Sequence, residues 1–414
     1  MNNHKLIVIV VLFCFSFNIF AQKFSNGADV SWLTQMEASG KKFYNAAGTP
    51  MECMTLLKSL GINSVRLRVW VNPTGEWNNT ADVLVKAKRA NELGLRLMID
   101  FHYSDTWADP GQQTIPVAWA KLNFADLKTA VATHTTEVLT LLKNNGIQPE
   151  WVQVGNETGN GMLWETGKAS LSMANYAGLT TAAYNAVKAV LPDCKVIVHI
   201  QNGYDNSLFR WIFDGLKNNG GKWDVIGMSL YPFWYTTPND WQNCNTACLA
   251  NMNDMVSRYG KEVMIVECGM SWDSPAACKS FLSDIIAKTK TIPNNKGLGV
   301  FYWEPQSYGQ WQGYSLGAFD NSGKPTIAME AFSLNTNVYN PEKQDLKYSW
   351  DKHSGVLKFN NFLYEIAVLG MDSRLLFTTY NSYFLRTAGL QSNVYLIKVR
   401  QSKTEKTQII KFIN

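Results

Sequence analysis

The stretch Trp151-Val-Gln-Val-Gly-Asn156-Glu157-Thr decides how the rest of the chain reads. Trp151 to Val154 is an apolar run of the length of a buried strand, a glycine ends it, and two polar residues follow together. A carboxylate at the carboxyl end of a buried parallel strand adds little to packing. In a (β/α)8 barrel that position faces the active-site mouth. Alone, an Asn-Glu pair reads equally well as a loop that happens to follow a strand. A second short strand ending in glutamate, Val263-Met-Ile-Val-Glu267-Cys-Gly, shifts the balance. The interval between the two glutamates accommodates about three βα units of about 30 residues each.

Outward from this stretch, strands and helices alternate. Gly27 to Trp32 is a first strand ending in polar groups. Pro50–Leu60 has helical spacing. Ser64-Val-Arg66-Leu-Arg68-Val-Trp70 alternates with period two, and helix Asp82–Leu93 follows. Leu95–Phe101 runs into Asp100-Phe-His102-Tyr-Ser-Asp105. Helix Phe124–Lys143 leads to the Glu157 strand. Helix Ser172–Val190 precedes strand Lys195–Ile200, and Ser207–Lys217 precedes Val225–Leu230, which ends at Tyr231. Asn251–Tyr259 precedes the Glu267 strand, Ala276–Lys288 precedes Leu298 to Glu304, and a last helix lies near Pro325–Phe332. Eight alternations predict an α/β fold, a (β/α)8 barrel over residues 23–340, rather than a doubly wound sheet.

Residues 341–414 lose helical periodicity and predict a small antiparallel β domain with strands at Gly355–Phe359, Tyr364–Leu369, Arg374–Tyr380 and Asn393–Arg400. The formal net charge of +5 lies entirely in this tail, which holds 11 Lys+Arg against 6 Asp+Glu. The large domain is neutral. It has no basic footprint for nucleic acid and suits an uncharged substrate. Residues 1–21 read as a signal peptide: Lys5, an apolar run from Leu6 to Phe20 too short for a transmembrane span, and a small Ala21. A secreted or cell-surface protein, a monomer, is expected. In an oxidising compartment Cys244 and Cys248, read as lying in a polar loop, could pair, whereas Cys53, Cys194, Cys268 and Cys278 read as buried small hydrophobes. No Cys/His cluster has zinc spacing.

Two carboxylates facing each other across a cleft are the minimal equipment for hydrolysing a glycosidic bond: one a neutral acid, the other an ionised nucleophile or base. Asn156 beside Glu157 can bond a sugar 2-hydroxyl. Arg66 or Arg68 can hold a nucleophilic carboxylate ionised, and Arg68, nearer the strand end, is the expected one. Tyr231 could orient the same group, and His102 and Trp303 would line the sugar pocket. Trp107, Trp234 and Trp272 are loop aromatics that read either as sugar platforms or as packing wedges. Asp29 either meets substrate or ties down the first loop. Glu304 either bonds a sugar hydroxyl or neutralises an arginine. His134, mid-helix, reads as a surface residue, and His199 carries no assigned role.

At this point the residues resemble a known family. Asn-Glu after strand four and Glu after strand seven is the pattern of the retaining clan A glycoside hydrolases. Gly27-Ala-Asp-Val-Ser-Trp, Arg68-Val-Trp-Val-Asn-Pro73, Asp100-Phe-His-Tyr-Ser-Asp-Thr-Trp-Ala-Asp-Pro110, Val154-Gly-Asn-Glu-Thr158 and Tyr302-Trp-Glu-Pro305 together resemble glycoside hydrolase family 53. The resemblance covers nearly all of residues 26–334. It implies an endo-β-1,4-galactanase acting on galactan side chains of pectin, with Glu157 as acid/base and Glu267 as nucleophile. Asp29, Arg68, His102, Trp107, Asp109, Asn156, Tyr231, Trp234, Trp272, Trp303 and Glu304 are the expected substrate-binding residues. Some bacterial members carry a structural calcium in a late loop. Here the loop Gln306 to Gly317 has no Asp or Glu, which argues against that calcium, so no metal and no cofactor are expected. The ending Ser392-Asn-Val-Tyr-Leu-Ile-Lys-Val-Arg400, then Lys406-Thr-Gln-Ile-Ile-Lys-Phe412, resembles the type A sorting domain of the Bacteroidetes type IX secretion route, which implies the secretion machinery as a partner; the other reading of the tail is an ordinary β-sandwich accessory domain that binds carbohydrate. Competing readings are another clan A endo-glycanase, a mannanase or xylanase, and a non-catalytic glycan-binding barrel. Loss of one carboxylate would mark the latter, and both are present.

Overall fold

The structure, a computed structural model, describes residues 24–336 and, beyond them, the strands of the tail. The proposed signal peptide lies outside the described residues. Eight parallel strands close into a barrel: β1 (Ser25–Asp29), β2 (Ser64–Val69), β3 (Arg96–Phe101), β4 (Trp151–Val154), β5 (Lys195–Ile200), β6 (Val225–Leu230), β7 (Glu262–Cys268) and β8 (Gly297–Tyr302), with β8 pairing back to β1. The predicted barrel is therefore the observed one. Gly27 permits the closure, since a Cβ there would stand 2.1 Å from the Phe301 ring.

Side chains of alternate parity divide the barrel into two cores. Val65, Leu67 and Val69 of β2 pack outward under the helices, as do Leu97, Ile99 and Phe101 of β3. The opposite parity fills the barrel. Its lower layers are Met98, Trp151, Ile197, Val225, Met264, Val266, Leu298 and Phe301. Above them the same strands turn polar, with Arg66, Asp100, Gln153, His199 and Ser229 all buried. Polar groups gathered at the carboxyl ends of barrel strands are the mark of a functional mouth.

Helix boundaries follow side-chain caps that the apolar pattern does not show. Asn79 caps helix Thr80–Glu92 through Asp82 N, and Ser172 caps Met173–Val190 through Asn175 N. The largest revision is helix Trp241–Tyr259, capped by Asp240, which begins ten residues before the expected start. Its early turns look polar, yet Cys244, Cys248, Met252, Met255 and Val256 form one buried stripe. Cys244 and Cys248 thus lie on a helix rather than in a loop. Both are free thiols, as are Cys53, Cys194, Cys268 and Cys278. His134 is also corrected: it is buried and packs edge-on against Phe101, Tyr103 and Trp119. Among the described residues no helix is long and apolar enough to cross a membrane.

The chain divides into two compact units, the first ending at Thr336. The second has a three-stranded antiparallel sheet of β9 (Tyr348–Asp351), β10 (Val356–Phe359) and β13 (Phe384–Arg386). A four-stranded sheet is formed by β11 (Tyr364–Leu369), β12 (Leu375–Ser382), β14 (Val394–Gln401) and β15 (Thr407–Ile413). Leu357 and Leu385 of one sheet share a core with Ile366, Val368, Ile397 and Val399 of the other.

Candidate active site

Gly155 ends β4 with φ +90°, and a Cβ there would fall 2.6 Å from Thr158 Cγ2. That turn lifts Asn156 and Glu157 over the barrel mouth. Glu157 itself has φ +46°, a left-handed conformation that costs a non-glycine residue energy and that collects at functional sites. Glu267 arrives by a different device. A register shift between β6 and β7 pairs Met228 with Ile265 but Ser229 with Glu267, so Val266 has no partner. Across this bulge consecutive Val266 and Glu267 both face the interior.

The two carboxylates meet at one hollow of about 170 Å³, lined also by His102, Trp107, Ala108, Asp109, Asn156, Tyr231, Trp234, Trp303 and Tyr314. A carboxyl oxygen of Glu157 and one of Glu267 lie within 4.8 Å of each other. Retaining glycosidases separate their carboxyls by about 5–5.5 Å and inverting ones by about 6.5–9.5 Å. Larger hollows exist, such as one of about 910 Å³ between helices Phe124–Asn144 and Met173–Val190, but it holds no facing carboxylates.

Arg66 organises the floor. Its guanidinium reaches Asp29 at 2.7 Å, Asp100 at 2.9 Å and Glu267 at 2.7 Å, and donates to Asn156 Oδ1 at 2.9 Å. Burial alone would lower its pKa, but Asp100, Glu267 and Asp29 outweigh burial and hold it above the usual range. The expected arginine was Arg68. Arg68 instead stands 3.7 Å from Glu304 and packs on Trp107, 4.3 Å from the ring centre. Asp29, Asp100 and Glu267 gather around Arg66, whereas Arg68 has Glu304 and the face of Trp107. Asp29 is wholly buried beneath Arg66 and accepts from Ser31 N, so it ties down the loop and does not line the cleft. Glu304, also wholly buried, accepts from Trp32 N at 3.0 Å and from Gln306. Burial, with Asp29 nearby, raises its pKa well above the carboxylate range. Trp272 stands outside the hollow, its backbone N–H donating to Ser315 O.

His102 lines the hollow, but the protein occupies both ring nitrogens. Nδ1 accepts from Trp70 Nε1 and Ala108 N, which leaves the proton on Nε2, 3.0 Å from Asp100. Trp303 is braced by Tyr314 at 4.6 Å and Trp32 at 5.0 Å, whereas Trp234 is 57% exposed, held by Tyr231 and Phe233. Tyr314, Ser229, His199, Asp100 and Gln153 were not anticipated as site residues. The last four had a signal: each is a polar residue inside an apolar strand, with the parity of the barrel interior.

Burial raises both glutamates. Taken site by site it carries Glu157 to about 7 and Glu267 to about 8. The contacts order the proton the other way. The pair titrates as a unit. Only Glu267 touches a guanidinium, and it also accepts from Tyr231 Oη at 3.1 Å. Glu157 has a single hydroxyl contact, Ser229 Oγ at 2.7 Å, and Asp109 nearby opposes its ionisation. When the pair holds one proton, the charge therefore belongs on Glu267 and the proton on Glu157. The arrangement can protonate an oxygen from one side and attack carbon from the other.

The loop Gln306 to Gly317 contains no Asp or Glu, so it offers no side-chain carboxylate to a hard cation such as calcium.

The profile of glycosyl hydrolase family 53 matches residues 25–332. The chain is 35% identical over 323 residues to "Probable arabinogalactan endo-beta-1,4-galactanase A" of Neosartorya fischeri, covering 72% of this chain and 88% of that protein. It is 32% identical over 311 residues to "Endo-beta-1,4-galactanase" of Bacillus subtilis, covering 68% and 70%. A solved structure of a fungal β-1,4-galactanase superposes with a TM-score of 0.69 at 30% identity, covering 74% of this chain and 98% of that one.

Proposed function

Because the chain belongs to glycosyl hydrolase family 53, we propose that it hydrolyses internal β-1,4-galactosidic bonds of galactan with retention of configuration. Glu157 is the acid/base and Glu267 the nucleophile. The observation that carries this reading is the short Glu157–Glu267 separation with Arg66 and Tyr231 on Glu267 alone. Glu157 protonates the leaving oxygen while ionised Glu267 attacks the anomeric carbon. Glu157, now a carboxylate, then takes a proton from water, which releases the sugar from Glu267. Asn156, with its Nδ2 bonded to Ala108 O, presents a fixed amide beside the acid. The two carboxyls supply the whole acid, base and nucleophile chemistry, and no cofactor enters it.

Trp234 and Trp107 come from different loops at the hollow and suit the curved faces of a β-1,4-galactan, whose O4 is axial. A panel of linear galactan, mannan, xylan and polygalacturonate, with products sized over time, tests the reading. Galacto-oligosaccharides from galactan alone are expected. Early galactose as the only product would refute internal cleavage, and preferential hydrolysis of mannan or xylan would refute the substrate class. Glu267→Ala should abolish turnover, which a mere glycan-binding barrel would not register.

The protein is further read as exported and monomeric, with the tail serving secretion. Support comes from the apolar amino terminus and the basic, β-rich last 78 residues. Deleting residues 337–414 should leave galactanase activity intact but stop the enzyme appearing outside its native host. Normal export of the shortened chain would exclude the sorting role.

A further inference from the structure

At the end of the barrel away from the cleft, a pocket of about 290 Å³ is lined by three lysines, Lys217, Lys222 and Lys261, and by three aromatic residues, Tyr184, Trp223 and Tyr259. Its position follows from the chain order. Lys222 and Trp223 come just before β6, and Lys261 immediately precedes β7, whereas Tyr231 and Glu267 stand at the far ends of those strands. The six residues of β6 run about 20 Å at about 3.3 Å each. The pocket and the cleft are therefore separate places on opposite faces of the barrel.

A single surface lysine carries no meaning, but here the neighbouring acids are already committed to other cations. Asp224 pairs with Lys188 at 2.8 Å, Asp214 with Arg258 at 2.6 Å and Glu262 with Lys195 at 2.6 Å. Lys217, Lys222 and Lys261 are left without an ion pair among the described residues. The large domain is neutral in sum, so three unpaired cations around one recess are a local segregation of charge. The aromatic walls are fixed. Tyr184 Oη donates to Asp224 at 3.2 Å, Tyr259 Oη donates to Asp214 at 2.8 Å, and Trp223 packs against Phe213 and Tyr259. Lys261 Nζ lies 6.0 Å from the centre of the Trp223 ring, and Lys222 Nζ lies 6.0 Å from that of Tyr184. Trp223 is buried, and its indole N–H has no acceptor among the described residues.

We propose that this pocket binds the carboxylate of an acidic sugar, so that the barrel holds a polyuronide on one face while it cuts uncharged galactan on the other. The volume is at the small end of ligand pockets and suits a single ring rather than a long chain segment. A uronate brings both of the features the walls ask for. Its carboxylate meets lysine ammoniums, which act as point charges, and its apolar C–H face lies against an aromatic ring. A neutral galactose would leave the three ammoniums unused, and inorganic phosphate would leave the rings unused. No bond is made or broken at this site. Its benefit rests on the galactanase reading: galactan carried on an acidic pectin backbone stays near the cleft while that backbone is held, which raises its effective concentration. The pocket itself stands on its own geometry.

The test is calorimetric binding of an oligogalacturonate to the full chain, beside its methyl ester, inorganic phosphate and a neutral galacto-oligosaccharide. The acid should bind, and more weakly as salt rises. Its affinity should fall about tenfold in Lys217→Gln/Lys222→Gln/Lys261→Gln, the effect of three exposed charge pairs. In ¹⁵N NMR of tryptophan-labelled enzyme the indole signal of Trp223, assigned by its loss in Trp223→Phe, should shift as the acid is added. The triple variant should cut linear galactan at the parent rate, since all three lysines lie outside the cleft, but show a higher KM for galactan carried on an acidic pectin backbone. No binding of the acid, or binding unchanged in the triple variant, which would place the acid on the basic tail, would overturn the proposal. So would equal binding of the methyl ester or of phosphate. Failure of the parent to cut linear galactan would instead sink the galactanase reading, and the calorimetry would still decide the pocket.

Discussion

Arg66→Met should cost far more than Arg68→Met, although the two arginines sit two residues apart on one strand. Arg66 is fully buried and contacts three carboxylates at 2.7, 2.9 and 2.7 Å. Breaking one buried ion pair by removing a partner costs about 3–5 kcal/mol. The loss here strands three acids, of which some escape by taking up protons, so about 5 kcal/mol at pH 7 is the expected penalty, less at pH 5. In a domain of this size that lowers Tm by roughly 10 °C. Arg68 has one charged partner, Glu304, at 3.7 Å, and burial already favours the protonated form of that acid. Its removal costs chiefly packing against Trp107, about 2 kcal/mol. Thermal unfolding of both variants at pH 5 and pH 7 is the assay. Arg66 also lowers the pKa of Glu267. In a variant that still folds, Arg66→Lys, the acidic limb of activity should therefore rise. A melting point for Arg66→Met within about 2 °C of the parent, or below it by less than that of Arg68→Met, would refute the electrostatic account of the floor.

Two other outcomes follow from the site. Glu157 has a folded-state pKa of about 7 against an ordinary 4.5, so the folded state binds that proton more tightly. This favours the fold at low pH and is lost as pH rises from about 4.5 to about 7. Discounted for its partial exposure, Glu157→Gln should gain about 2 kcal/mol at pH 8 and little at pH 4. Denaturant melts at both pH values check this, and an equal gain at both would contradict it. Trp234→Ala, at a 57% exposed ring, should leave Tm unchanged and raise KM for galactan about fivefold, the loss of about 1 kcal/mol of stacking. An unaltered KM would remove Trp234 from the binding surface.

The barrel was legible because eight apolar runs alternate with helical spacing, and because Asn156-Glu157 and Glu267 break apolar runs at strand ends where packing has no use for them. What escaped did so for physical reasons. Period-two reading gives neighbouring residues opposite faces, so nothing local in Val266-Glu267 reveals that a bulge turns both inward. Arg68 looked closer to the mouth by position, but the acids that decide the matter, Asp29, Asp100 and Glu267, come from three other strands and meet at Arg66. Polar early turns hid the first half of helix Trp241–Tyr259, although Cys244, Cys248 and Met252 already carried its i, i+4 stripe. Asp29 and Glu304 sit in motifs that mark the mouth, yet both point into the protein, where they bond Arg66 and Trp32 N.

The central claim is that ionised Glu267 attacks carbon while protonated Glu157 supplies the proton. The most direct measurement is mass spectrometry of the enzyme after reaction with a 2-deoxy-2-fluoro galactoside that carries a reactive leaving group, which slows release of the glycosyl-enzyme. The account predicts one added fluorogalactosyl mass, located by peptide mapping on Glu267. An adduct on another residue, or no adduct while the leaving group is still released by the enzyme, would contradict it.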